Sequence, residues 1–145
     1  MQLISDTCIL ASELATEELG VKLAVVTPHG GTWLLRGELG SGKTTLTRGL
    51  VTGLGGDPDD VASPTYSVIH RYRCNTCWIY HLDLYRLDES GVWSIGLEEL
   101  VRPTDYLVVE WSVAHGPWPT KWVGNLTFDI NDDQRSACWN YPAVV

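Results

Sequence analysis

Residues 36 to 50, "RGELGSGKTTLTRGL", place glycines where no helix interior would choose them, then follow with a lysine and two threonines. The flanks decide what those glycines are for. "TWLLR", residues 32 to 36, is a short apolar run that reads as a buried strand, and "KTTLTRGLVTGL" reads as a helix ended by Gly55 and Gly56. Gly37-x-x-x-x-Gly42-Lys43-Thr44 between a strand and a helix is a phosphate-binding loop in both string and context. Gly37, Gly40 and Gly42 let the backbone curl so that successive N–H groups point inward, and the helix aims its positive dipole end at the same anion. Lys43 then reaches the β- and γ-phosphates of a nucleotide, and the Thr44 hydroxyl is offered to Mg²⁺.

The surrounding chain alternates strands with helices. "SELATEELGVKLAVV" predicts an amphipathic helix with Ser12 as N-cap and Leu14, Leu19, Leu23 and Val26 near helical spacing. From Ser63 to Tyr85 the pattern becomes alternation around the turn "RCNTC", which predicts a β-hairpin. A helical stretch is expected around "ESGVWSIGLEELV". The apolar run at 106–109 in "DYLVVEW" lacks alternation and predicts a strand buried on both faces. Two strands around the polar turn "NDDQ" close the chain, with no linker, repeat or low-complexity run.

A phosphate loop needs carboxylates opposite it, because Mg²⁺ prefers oxygen ligands and keeps waters that carboxylates position. Glu110 closes the buried strand "YLVVE", so it emerges at the carboxyl edge of the sheet, where open α/β folds bind ligands. Asp83 lies in "YHLDLYR", where alternation puts His81, Asp83 and Tyr85 on one face, and is a candidate to orient a magnesium water or the attacking water. In "SPTY", Pro64 biases Ser63 toward an extended backbone, so the segment can present the Thr65 hydroxyl from a stiff turn as a γ-phosphate sensor.

Composition narrows the class further. At 145 residues with 44% apolar content, one domain with one core is expected over residues 1–145. A net charge of −8 with ten Lys and Arg argues against a chain that grips nucleic acid by itself, so no DNA and only an indirect link to RNA are expected. The sequence has no apolar run of membrane length and no signal-like N-terminus, which makes the cytoplasm the expected location. Cys74 and Cys77 form half a zinc site at most and read as a polar turn in a reduced compartment. A small-molecule kinase would add an Arg-rich lid, yet the basic residues are dispersed; a nucleotide-binding switch that hydrolyses nothing stays compatible with the loop.

"GELGSGKTT", "SPTY", "YHLDLYRL", "GLEEL" and "VEW" occur in an order that resembles the bacterial TsaE (YjeE) family, across roughly Ser12 to Trp111. The loop is generic, whereas the His81 to Arg86 string with Ser63-Pro64-Thr65 and Glu110-Trp111 is particular. The resemblance implies a P-loop NTPase-like α/β three-layer sandwich, a mixed β-sheet with flanking helices. It also implies a slow, partner-stimulated ATP hydrolase required for threonylcarbamoyladenosine in tRNAs reading ANN codons. Such a protein acts on a TsaB–TsaD complex rather than transferring the group, and reaches tRNA only through that complex. Carried over by position, it puts ATP or ADP phosphates on Gly37, Glu38, Leu39, Gly40, Ser41, Gly42, Lys43, Thr44 and Thr45. Mg²⁺ falls on Thr44 and Glu110 with Asp83, and a hydrolytic or switch role on Asp83 and Thr65 beside Lys43 and Glu110. Arg135 is a candidate adenosine or phosphate contact, and Glu13 or Thr16 a base contact; Trp111 is a family-marked position. The chain departs from the pattern after that tryptophan, reading "EWSVAHGPWP" where the family often has another acidic or polar residue, so no role is carried to that position.

Overall fold

A computed structural model of the chain describes residues 2–38, 40, 42–61, 69–83, 96–110 and 118–143. Leu39, Ser41, Thr65 with its neighbours Ser63 and Pro64, and Trp111 lie outside the described residues. Among the described residues, seven strands form one sheet in the order β1-β7-β6-β2-β5-β4-β3. They are β1 (Leu3–Leu10), β2 (Gly31–Arg36), β3 (Ile69–Arg73), β4 (Trp78–Asp83), β5 (Tyr106–Glu110), β6 (Trp122–Asn131) and β7 (Gln134–Pro142). The pairs β2–β5, β2–β6 and β4–β5 are parallel. The pairs β1–β7, β6–β7 and β3–β4 are antiparallel. The sheet is therefore mixed, as expected, with its parallel centre where the apolar runs fall.

Both faces are covered. One core unites Trp33, Leu35, Ile79, Tyr106 and Val108 of the strands with Leu19, Leu23, Leu46 and Leu50 of the helices α1 (Glu13–Val26) and α2 (Lys43–Gly53). The other gathers Leu34, Tyr80, Leu82, Leu107 and Val109 with Leu97 and Val101 beside a short helix α3 (Leu97–Leu100) and with Trp118. Alternate residues of β4 and β5 serve opposite cores, which is why these strands read as continuous apolar runs.

Ser12 caps α1, accepting from the Ala15 amide at 3.1 Å. The expected apolar stripe is corrected in half of its members: Leu19 and Leu23 are buried, but Leu14 and Val26 are 62% and 50% exposed. The buried face is instead Thr16, Leu19, Gly20, Leu23 and Ala24. The reason is the crossing with α2, where Gly20 lies against Gly49 and a side chain at either would collide with the facing backbone. Small residues, not leucines, define that face. At its far end α2 stops as expected: Gly55 adopts φ +85°, its amide donates to the Thr52 carbonyl and the Gly56 amide to that of Val51. The "NDDQ" turn holds Asp132 and Asp133 at φ +48° and +67°, the left-handed pair of a tight β6–β7 hairpin.

β1 is the element the sequence reading lacked. It is an edge strand with most residues exposed, so "LISDTCIL" carries no burial pattern to announce it.

Candidate functional site

β2 ends at Arg36, and the glycine loop leads directly into α2 at Lys43. Gly37, Gly40 and Gly42 have φ of +149°, +77° and +121°, backbone conformations that L side chains rarely adopt. Gly42 is the N-cap of α2 and supplies no side-chain cap, so the first-turn amides of that helix have no capping side chain to satisfy them. Positive-φ glycines ahead of an uncapped helix start are suited to cradle an anion.

The lysine is folded into that cradle. Lys43 is 4% exposed, and its Nζ donates to the carbonyl of Gly37 at 2.6 Å and to that of Glu38 at 3.4 Å. Burial lowers its pKa below the ordinary lysine value, while the carboxylates of Glu110 and Asp83 oppose the shift. Both acids are thus near enough to act on the ammonium. Thr44 and Thr45 are half-buried in the first turn of α2.

Sheet register explains how the acids arrive there. Glu110 is the last residue of β5, level with Leu35 of β2 on one side and with Asp83, the last residue of β4, on the other. The loop after β2 and the two carboxylates therefore share the carboxyl edge of three adjacent parallel strands. Ile79 and Val108 belong to the core beneath α1 and α2, so alternation places His81, Asp83 and Glu110 on that same face.

His81 is a participant that sequence alone left without a role. It is fully buried, its Nε2 is hydrogen-bonded to Glu110 Oε2, and its Nδ1 lies 3.0 Å from the Tyr72 hydroxyl. With the Tyr72 O–H donating to Nδ1, the ring proton sits on Nε2 and is donated to the carboxylate, which satisfies all three groups. Alternation had set His81 on the face of Asp83. Its partners come from β3 and β5, and no local pattern reports a cross-strand pair.

The flank of the cradle is built by α1 and the β6–β7 hairpin. Thr127 of β6 is level with Arg36, and β6 continues past it to Asn131. A Cβ on Gly42 would lie 3.4 Å from both the Phe128 ring and the Thr16 methyl. Thr16 is buried beside the loop and Glu13 is exposed at the start of α1. Arg135, level with Ile130 and Leu10, is exposed and stands at the same edge of the sheet, beyond the Arg36–Thr127 pair.

These residues suit a magnesium ion held jointly with a phosphate. Among the described residues no three His, Cys, Asp or Glu side chains converge as a metal cage. Thr44 and two carboxylates, one of which keeps an oxygen on His81, fit an ion that retains waters and shares phosphate ligands. No helix of the described residues is long and apolar enough to cross a membrane.

A mixed sheet covered on both faces, with a glycine loop between its central strand and a helix and carboxylates on the neighbouring strand ends, defines a P-loop NTPase-like α/β protein. The family model described as threonylcarbamoyl adenosine biosynthesis protein TsaE matches residues 10–137, and the chain belongs to that family. It is 34% identical over 132 residues to the tRNA threonylcarbamoyladenosine biosynthesis protein TsaE of Nostoc sp., covering 88% of this chain and 81% of that one. To the protein of the same name from Rickettsia bellii it is 30% identical over 140 residues, 95% and 96% of the two chains. The crystal structure of Bacillus subtilis YdiB superposes with a TM-score of 0.69 at 22% identity, over 97% of this chain and 87% of that one, and speaks to the fold.

Proposed function

We propose that this chain is a slow Mg²⁺-dependent ATPase of tRNA threonylcarbamoyladenosine formation, one that acts on a TsaB–TsaD type complex and does not itself transfer the threonylcarbamoyl group. The observation that carries the reading is the register that sets Glu110 and Asp83 at the sheet edge from which the glycine loop leaves β2, beside an uncapped helix start. Membership of the TsaE family supports the pathway.

In this reading the loop amides and Lys43 bind the β- and γ-phosphates, and Lys43 gives up its carbonyl bonds to Gly37 and Glu38 for phosphate oxygens. Thr44 and Glu110 hold Mg²⁺ with help from Asp83; when bound, the ion offsets the charge that spreads over the leaving phosphates. Asp83 and Glu110 between them orient the attacking water, and His81 keeps Glu110 pointed by holding one carboxylate oxygen. Arg135 and the start of α1 flank the nucleoside. Thr65 completes the γ-phosphate contact as a switch, and tRNA is reached only through the partner complex in the cytoplasm.

The test is ATP hydrolysis with Mg²⁺ by the purified chain, alone and with its own organism's TsaB–TsaD pair. Stimulated phosphate release is the expected result. Phosphoryl transfer to a small acceptor with no stimulation would establish a kinase instead, and tight nucleotide binding without release in either setting would establish a pure switch.

A further inference from the structure

At the opposite end of β4 from Asp83, Cys74 and Cys77 close the β3–β4 hairpin. β3 and β4 pair through Arg73 and Trp78, so the cysteines are the next opposed pair, joined by a 2.9 Å bond from the Cys74 amide to the Cys77 carbonyl. The Cys74 thiol donates to the Tyr72 carbonyl at 3.9 Å. Only 6% and 7% exposed, the two cysteines line a depression of about 400 Å³ together with Arg73, Thr76, Arg102 and Asp105. The Asp105 carboxylate is occupied by the amides of Trp78 and Arg102 at 2.9 Å each. Neither cysteine serves the phosphate edge, and among the described residues no third ligand gathers with them to hold a metal.

We infer that Cys74 and Cys77 are a reversible dithiol–disulfide site, open through this depression to a small disulfide bearing carboxylates, of which glutathione disulfide is the type. Arg73 and Arg102, which line the depression, favour an approaching anion. Cys77, which the neighbouring Cys74 thiol holds below the ordinary thiol range against burial and the Asp105 carboxylate, is the attacking thiolate. Its sulfur bonds to one sulfur of the reagent and expels the other as a thiolate. Cys74 then attacks the Cys77 sulfur and expels the second thiol. Two protein thiols are oxidised, one disulfide is reduced to two thiols, and the two protons leave with them.

Reversibility follows from the geometry. The bond would enclose only Asn75 and Thr76, so it removes little freedom from the unfolded chain and gains little stability in return. The same turn braces the end of α2, with the Asn75 amide donating to the Leu54 carbonyl at 3.1 Å and Cys74 Sγ lying against Gly56. A change at the cysteines is thus felt by the helix that begins at Lys43.

The test uses the unaltered chain and does not depend on the nucleotide reading. The native protein is equilibrated with graded ratios of reduced and oxidised glutathione, blocked with an alkylating reagent, digested with trypsin and weighed. Cleavage at Arg73 and Arg86 gives one peptide holding Cys74 and Cys77 and no other cysteine. The expected result is joint loss of both alkylation sites with a mass two hydrogens lower, restored by excess reduced glutathione. Two alkylated cysteines at every ratio, a glutathione adduct as the end product, or closure only after denaturation would each overturn the inference.

Discussion

Lys43 shows what holding a buried ammonium costs. Its ammonium is buried and leans on two backbone carbonyls, with burial lowering its pKa in spite of the nearby acids. Lys43→Met keeps the aliphatic stem and removes the charge. The variant should melt at a higher temperature than the parent without nucleotide, yet bind ATP about 10- to 100-fold more weakly, the worth of a hydrogen bond to a charged group. Thermal melts with and without Mg·ATP check both halves, and a lower melting point without nucleotide would contradict the burial argument. Tyr72 acts at one remove, through His81. Tyr72→Phe removes only the hydroxyl that fixes the imidazole tautomer, so kcat for ATP hydrolysis should fall about 3- to 10-fold while KM stays near its parent value. Single-turnover rates and the nitrogen chemical shifts of His81 report on it directly. Unchanged shifts and rate would leave Tyr72 as packing alone.

Elements meet here through unusually small contacts. At the α1–α2 crossing, a Cβ on Gly49 would run into the Glu17 carbonyl and come 2.9 Å from the Gly20 Cα, with only backbone in the way. Gly49→Ala should therefore cost about 1–3 kcal/mol in denaturant unfolding even though alanine is the better helix former. Because the phosphate loop opens α2, part of that loss should appear as weaker nucleotide binding. The other joint is aromatic: the Tyr106 hydroxyl of β5 and the Trp122 indole of β6 both donate to the Pro28 carbonyl at 3.0 Å. Burial pushes the Tyr106 pKa up to about 12 from its ordinary 10. The folded state thus favours the protonated phenol. Its contribution is complete below pH 10 and is lost as pH rises from 10 toward 12. The stability difference between the parent and Tyr106→Phe should narrow across that window by about 2–3 kcal/mol, read from urea midpoints at each pH.

At the scale of the whole molecule, charge sets what the chain can hold alone. A net −8 with ten basic residues offers little to a phosphate backbone, so the isolated protein should show no tRNA retention in filter binding at physiological salt. Retention that weakens with added salt would place an RNA surface on this chain. The parts legible in the sequence are those whose physics is local or strongly periodic. Gly42 demanded a backbone that only glycine adopts readily, and the Ser12 cap and the paired aspartates of the last hairpin are similarly local signals. The run ending in Glu110 announced a strand buried on both faces. Illegible were the relations between distant residues: β1, which earns its place by pairing with β7, the glycine crossing, and the Tyr72–His81–Glu110 chain across three strands.

β1 also has a consequence for how the chain is threaded. Leu3 is level with Pro142, and the Ala143 amide donates to the Gln2 carbonyl at 3.0 Å, so the first and last described residues are hydrogen-bonded neighbours. They lie at the edge away from the phosphate loop, since Pro142 follows Tyr141 toward the level where β2 begins. In space the backbone is nearly a closed ring, open at one seam. A few linking residues could seal that seam and the ring be cut at another surface turn, a circular permutation that preserves every strand register. Residues linking Gln2 to Ala143 would lie at the opposite end of the sheet from the glycine loop, Asp83 and Glu110.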